Sequence, residues 1–92
     1  MEVTGIIIQA LPQRSGTNQS GEWKAQTFVL QTTDAHPKYF VFDVYDGRDG
    51  RLSRYNIQQG KKYTVFFTIR AHEYNGRWYN QVYTDDVRET KE

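Results

Sequence analysis

The chain contains no cysteine, so no disulfide framework, thiol nucleophile or cysteine-based zinc site is open to it. Its two histidines, His36 and His72, stand far apart with no third ligand at useful spacing, so a metal site is not expected. No apolar run approaches the ~20 residues of a membrane-spanning helix, so no membrane partner is expected. The opening MEVTGIII has no basic segment ahead of its short apolar run, so no signal peptide is expected; a reducing, cytoplasmic setting fits. A large charge of one sign is also missing: 12 basic and 11 acidic residues leave a net charge of +1. That balance neither points to nucleic acid nor excludes it.

Catalytic patterns are equally scarce. Ser15, Ser20 and Ser53 have no obvious base partner. Asp85 and Asp86 are adjacent, and neighbouring residues of a strand point to opposite faces, so they cannot easily share a substrate. Asp46-x-x-Asp49 beside two glycines looks like a fragment of a calcium loop, but the bidentate glutamate at the twelfth position is missing and a turn is the better reading. No phosphate-cradling glycine loop is present. Neither enzymatic activity nor a cofactor is expected.

What the chain does have is aromatic residues, 15% of the total, set in alternating runs. Its 92 residues make one domain, read as 1–88 with a frayed tail at 89–92. The period-two pattern predicts five strands. The first is the Ile-rich run from Val3 to Leu11. Pro12 to Gly21 offers no apolar residue to bury and reads as a mobile loop. Glu22 to Thr33 sets Phe28 and Leu30 against Trp23, Ala25, Thr27 and Val29. Lys38 to Tyr45 sets Phe40, Phe42 and Val44 against Tyr39, Val41, Asp43 and Tyr45. Residues 51–57 form the one plausible helix, docked through Leu52 with Tyr55 or Ile57, and Gly60 suits a left-handed stop. Lys61 to Glu73 points Tyr63, Val65, Phe67 and Ile69 inward. Asn75-Gly76 is a tight-hairpin signal. The last strand, Arg77 to Val87, has Trp78 placed in the core or at its edge.

Five strands with one short helix between the third and fourth is the succession of an OB-fold, a partly open Greek-key barrel. An SH3-like barrel also has five strands, but such a helix suits it less well. In an OB-fold the ligand lies on the second and third strands, framed by the first–second and fourth–fifth connections. Those places hold Trp23, Tyr39, Tyr45 and Tyr74, with Lys24, Lys38, Arg70 and Arg77 nearby. Bases stack on such rings, and cations beside them neutralise phosphates. Set against this, Tyr and Trp favour any strand, and cross-strand aromatic pairs stabilise any sheet. The outward Phe66, Tyr79 and Tyr83 could equally be covered by a second subunit. Charge is uneven as well: residues 48–62 carry Arg48, Arg51, Arg54, Lys61 and Lys62 against Asp49 alone, which by itself reads as solvated surface.

The run from Ile57, IQQGKKYTVFFTIRAHEYNGRWYNQV, resembles the second half of bacterial single-stranded-DNA-binding proteins. MEVTG, EWKAQTFVL and EYNGRWY are closer still to a family of small bacterial OB domains of unknown function. The first resemblance implies that Tyr39 and Tyr45 occupy positions of stacking aromatics, that Tyr74 lies near a hairpin aromatic with the same task, and that the chain forms a homodimer or tetramer. Two features of those proteins have no counterpart in the sequence: a stacking residue near the second–third connection, and an acidic-tipped tail that recruits partners. The reading is therefore a non-enzymatic OB module for single-stranded DNA, with little sequence preference. Trp23, Tyr39, Tyr45 and Tyr74 would stack bases, while Lys24, Lys38, Arg70 and Arg77 would meet phosphates. A protein-interaction or assembly domain using the same face is the alternative. RNA is inseparable from DNA on these residues alone.

Overall fold

The structure is a computed structural model that describes residues 1–19, 21–47 and 50–90. Ser20, Arg48, Asp49 and the last two residues of the expected tail lie outside the described residues. The order is β1 (Glu2–Ala10), β2 (Arg14–Asn18), β3 (Gly21–Thr32), β4 (Tyr39–Asp46), α1 (Arg51–Tyr55), β5 (Lys62–Tyr74) and β6 (Arg77–Glu89). The strands form one six-stranded sheet in which every pairing is antiparallel.

The long strand β3 organises this sheet. Along one edge it pairs with β4 over Lys24–Gln31. Along the other it pairs first with β1, from Gly5↔Thr32 to Ala10↔Phe28, and then with β2, from Arg14↔Ala25 to Asn18↔Gly21. The polar stretch expected to be a mobile loop is therefore mostly strand. It has nothing apolar to bury, yet β3 is 12 residues long and its first half presents an open edge. Backbone hydrogen bonds, not side-chain burial, make residues 14–18 a strand. Gly16 suits that place, because Trp23 opposite lays its indole across it; a Cβ there would come within 2.6 Å of the ring. Gly5 answers a similar demand on β1: a Cβ would sit 2.3 Å from the Gln31 carbonyl oxygen.

The inward residues behave as their alternation predicts. Ile7, Phe28, Leu30, Phe42, Val44, Tyr63, Val65 and Val87 form one buried cluster. Phe40 of β4 meets Phe67 of β5 with ring centroids 4.8 Å apart, so the sheet curls until strands distant in its order touch. The curl stops short of closure. Among the described residues no ladder joins β4 to β6, so in place of the expected five-stranded, partly open Greek-key barrel the strands form a six-stranded open sheet.

The helix lies where residues 51–57 predict it. Leu52, Tyr55 and Ile57 pack half-buried on the core. Gly50 enters at φ 66, and the buried Asp46 carboxylate accepts the Leu52 N–H at 3.0 Å. The Asp46 carboxylate thereby satisfies one of the helix's open N–H groups. Asn56 ends the helix at φ 47, and Gly60 turns the chain at φ 94. The Tyr63 hydroxyl then ties this connection to β5, accepting from Gln58 N at 2.8 Å and donating to Asn56 O at 3.3 Å.

Strands β5 and β6 are joined by Asn75 and Gly76, both at positive φ as that turn requires. Beyond Phe67, β5 has no ladder partner but β6, so the hairpin leaves the body as a free arm with both faces exposed. Trp78 is 70% exposed and Ile69 44%. Both were expected inward, and both lie past the point where there is a core to reach. At the chain's other end, Thr90 donates its N–H to Lys62 O at 2.9 Å and pairs its hydroxyl with Thr64, so the end expected to fray from residue 89 is held through Thr90. No helix among the described residues is long and apolar enough to cross a membrane.

Candidate functional site

The outer face of β2, β3 and β4 carries Trp23, Ala25, Thr27 and Val29 beside Tyr39, Val41, Asp43 and Tyr45, because directly opposed residues share a face. Tyr39 and Tyr45 are 70% and 57% exposed and lie at opposite ends of β4, six residues and roughly 20 Å apart. Between them runs a polar bridge: Arg14 donates to Thr27 Oγ1 at 3.3 Å and stands 3.7 Å from the Asp43 carboxylate, to which Thr27 also donates. Arg14 is an addition to the expected face, carried there by β2. Its charge is largely answered by Asp43.

Trp23 joins this face only half-exposed, since one side of its indole rests on Gly16. Lys24 does not join it. As the next residue along β3 it points to the other side, opposite Asp46. Lys38 stands exposed just before β4, where its backbone bonds to Thr32. Arg70, Tyr74 and Arg77 all lie on the arm's outer face, Tyr74 directly opposite Arg77. There Arg70 lies over the Tyr83 ring at 5.4 Å, and His72 lies beside Tyr79. Phe66 is covered by the guanidinium of Arg88 at 5.3 Å.

The unclosed seam between β4 and β6 is a cleft of about 430 Å³. Val41, Tyr45 and Arg51 line one side; Asn80, Gln81 and Tyr83 line the other. Of the expected site residues only Tyr45 reaches it. The hydrogen-bond pattern shows which backbone groups face this gap. Lys38 O bonds toward β3, so by alternation residues 39, 41, 43 and 45 turn their backbone groups away from β3. On the other side Phe67 spends its N–H and C=O on Met1, which leaves Thr84 opposite it facing outward, and Val82 and Asn80 with it. Two polar contacts stitch the lower end of the seam: Thr84 Oγ1 donates to Asp43 O at 2.8 Å, and Arg51 Nη1 to Thr84 O at 3.3 Å. Above them both backbone edges are open. Arg51 and Tyr83 were visible in the sequence as a cluster cation and an outward ring. Nothing in residue order says that they meet.

Asp85 and Asp86 have separate partners, although the bulge at Asp85 interrupts the strict alternation expected of them. Asp85 occupies a bulge in β6 and accepts from Thr68 Oγ1 at 2.7 Å. For Asp86, partial burial pushes the pKa up. Hydrogen bonds from Arg88 and from the Val87 N–H, the Arg88 charge and the Tyr55 hydroxyl outweigh this and hold it below the ordinary aspartate value. No group of three or more His, Asp or Glu suited to a metal ion occurs among the described residues.

Residues 2–87 match DUF3127, a domain of unknown function, and the chain belongs to that family. No curated protein and no solved structure matches it.

Proposed function

We propose that this member of the DUF3127 family is a non-enzymatic module of OB type that binds single-stranded DNA with little sequence preference. The observation that carries the reading is a set of exposed rings, of which Tyr45 and Tyr83 line the open cleft. Tyr39 and Tyr45 lie on β4, Tyr83 lies across the seam, and Tyr74 lies at the tip of the arm. Bases stacked on such rings gain about 1–3 kcal/mol each. Lys38, Arg70 and Arg77 supply exposed cations on the same elements. The strand order β4-β3-β1-β5-β6, with a helix between β4 and β5, suits the OB plan, in which the ligand crosses the second and third strands of the core set. The resemblance of the run from Ile57 onward to bacterial single-stranded-DNA-binding proteins supports the same reading.

Titration of fluorescent oligothymidine at two salt concentrations, followed by tryptophan quenching, tests this reading. Three phosphate-facing cations give a slope of log K against log salt of roughly −2. Binding without salt dependence, or binding indifferent to Tyr39→Ala and Tyr45→Ala, removes the proposal. Oligouridine of equal length is the arm that separates RNA from DNA.

A second reading has its own observation. Ile69 and Trp78 are exposed on the arm face that continues the core side of β5 and β6, and a two-stranded ribbon is marginal alone. An assembly module, as a homodimer or tetramer, would cover them. No binding at micromolar strand, together with a mass that rises with protein concentration, favours that reading.

A further inference from the structure

We infer that the cleft between β4 and β6 takes a single base by its hydrogen-bonding edge and prefers adenine there, an inference that rests on the proposed binding of single strands. The volume, about 430 Å³, falls within the ~300–1,000 Å³ of pockets that hold small organic ligands. The stitch between Thr84 and Asp43 closes its lower end, so it is a dead-ended notch and not a channel. A notch of this kind accepts one base turned out of the strand; it cannot follow a run of nucleotides.

The lining sets the preference. Asn80 and Gln81 are consecutive residues that would face opposite sides of a sheet, yet both reach the cleft because β6 meets it edge-on. The Tyr83 hydroxyl donates to Gln81 Oε1 at 3.3 Å, which aligns that amide and leaves its Nε2 hydrogens to donate elsewhere. The backbone groups of Val82 and Asn80 add further donors and acceptors on the same wall. A side-chain amide presents a donor beside an acceptor. In a single strand every base offers such a pair on its Watson–Crick edge, but adenine alone offers a second, through N6 with N7, since the N7 edge of guanine presents only acceptors. A purine also covers more of the Tyr45 and Tyr83 rings at the cleft's lips than a pyrimidine does.

The test uses the whole chain and a set of labelled oligomers of about 15 nucleotides, within the reach of one such domain. Each is thymine throughout except for one central position bearing adenine, guanine, cytosine or thymine. The adenine oligomer is expected to bind about fivefold tighter than the all-thymine one, through its second matching edge and its wider ring together, and about twofold tighter than the guanine one. In the double variant Asn80→Ala with Gln81→Ala the preference for adenine over guanine, two purines that stack alike, should fall to unity, while an unchanged urea midpoint shows that the fold is intact. Equal affinities for all four oligomers in the parent protein overturn this inference and leave the proposed function standing. So does a preference for adenine over guanine that survives in the double variant. If no oligomer binds at all, both fall together.

Discussion

Tyr63, Val65 and Phe67 of β5 point into a cluster built from the other long strands, whereas Ile69, Ala71 and Glu73, next along the same side of the same strand, face only what β6 sets opposite them. The body and the arm are thus one pair of strands in two environments. In the body, inward residues are nearly inaccessible and every strand but β2 has two neighbours or a core beneath it. In the arm every side chain from Ile69 to Gln81 is exposed. A strand's alternation therefore reports that the backbone is extended. Whether either face is buried depends on how far the rest of the sheet reaches. Stability should reside in the first region and recognition in the second and along the seam between them.

The sharpest way to break this division is a pair of large-to-small changes. Phe42 is 2% exposed and stacks on Phe28 and Phe40 at 5.5 and 5.8 Å. Phe42→Ala should cost about 3–5 kcal/mol, a large part of the total stability of a small domain. Trp78→Ala removes a larger ring from the arm and should cost under ~0.5 kcal/mol, as surface changes do. Urea unfolding of both variants measures the contrast. Comparable losses would mean that the arm is packed against something in solution, which returns the assembly reading to first place.

A smaller effect sharpens the boundary from inside the body. Tyr63 is 2% exposed, and its hydroxyl serves Gln58 N and Asn56 O at once. Tyr63→Phe keeps the ring and strands both backbone groups, so a loss of about 1–3 kcal/mol is expected in the same unfolding assay. Loss of no more than a few tenths would mean that water replaces the hydroxyl and that the α1–β5 connection is open to solvent.

Much of this architecture was legible in the residues. Asn75-Gly76, the alternation of β4 and the short helix around Leu52 each carry a local physical cause. What was not legible depends on distance between segments. Residues 14–18 contain no hydrophobic residue, and the one hint of β2 was the length of the strand beginning at Glu22, whose first half needed an edge partner. Trp78 was placed inward because its parity is inward; that β1 stops pairing at Phe66 cannot be read from β6. The position of Lys24 was readable, since a residue next to Trp23 must face the other way. The cleft was not. It exists because a curled sheet stops short of closure, and strand separation leaves no mark on residue order.

Recognition, in turn, should be separable from stability. Tyr45 lies on the outer face of β4 and also lines the cleft. Tyr45→Ala should weaken oligothymidine binding by about tenfold, within the 1–3 kcal/mol of one stacked base, and shift the urea midpoint little. Lys24→Ala, on the opposite face of β3, should weaken it less than Arg77→Ala does. An equal effect of the two cations would show that the strand wraps both faces of β3, and that the division between body and arm does not mark where the ligand runs.

The mildest test concerns pH, and it probes the base of the arm, where the core ends. Asp86 is opposite Phe66, and Arg88 donates to its carboxylate at 3.0 Å while also covering the Phe66 ring. The folded state holds this carboxyl below its ordinary pKa of 3.8, so folding favours the ionised form. The resulting stabilisation is fully present above the unfolded value and is lost as pH falls through the folded one. Stability should therefore be flat from neutral pH to about 5 on this account and decline below 4. Asp86→Asn should remove part of that decline and leave the neutral-pH stability slightly lower. The effect is small because the side chain is 38% exposed and its ion pair is screened by solvent. If acid denaturation of the Asn variant follows the parent curve at every pH, the arm's base is not fastened by this contact. The rigidity at the junction of body and arm would then come from Val65 against Val87 beneath it and from Phe67 against Met1 and Phe40.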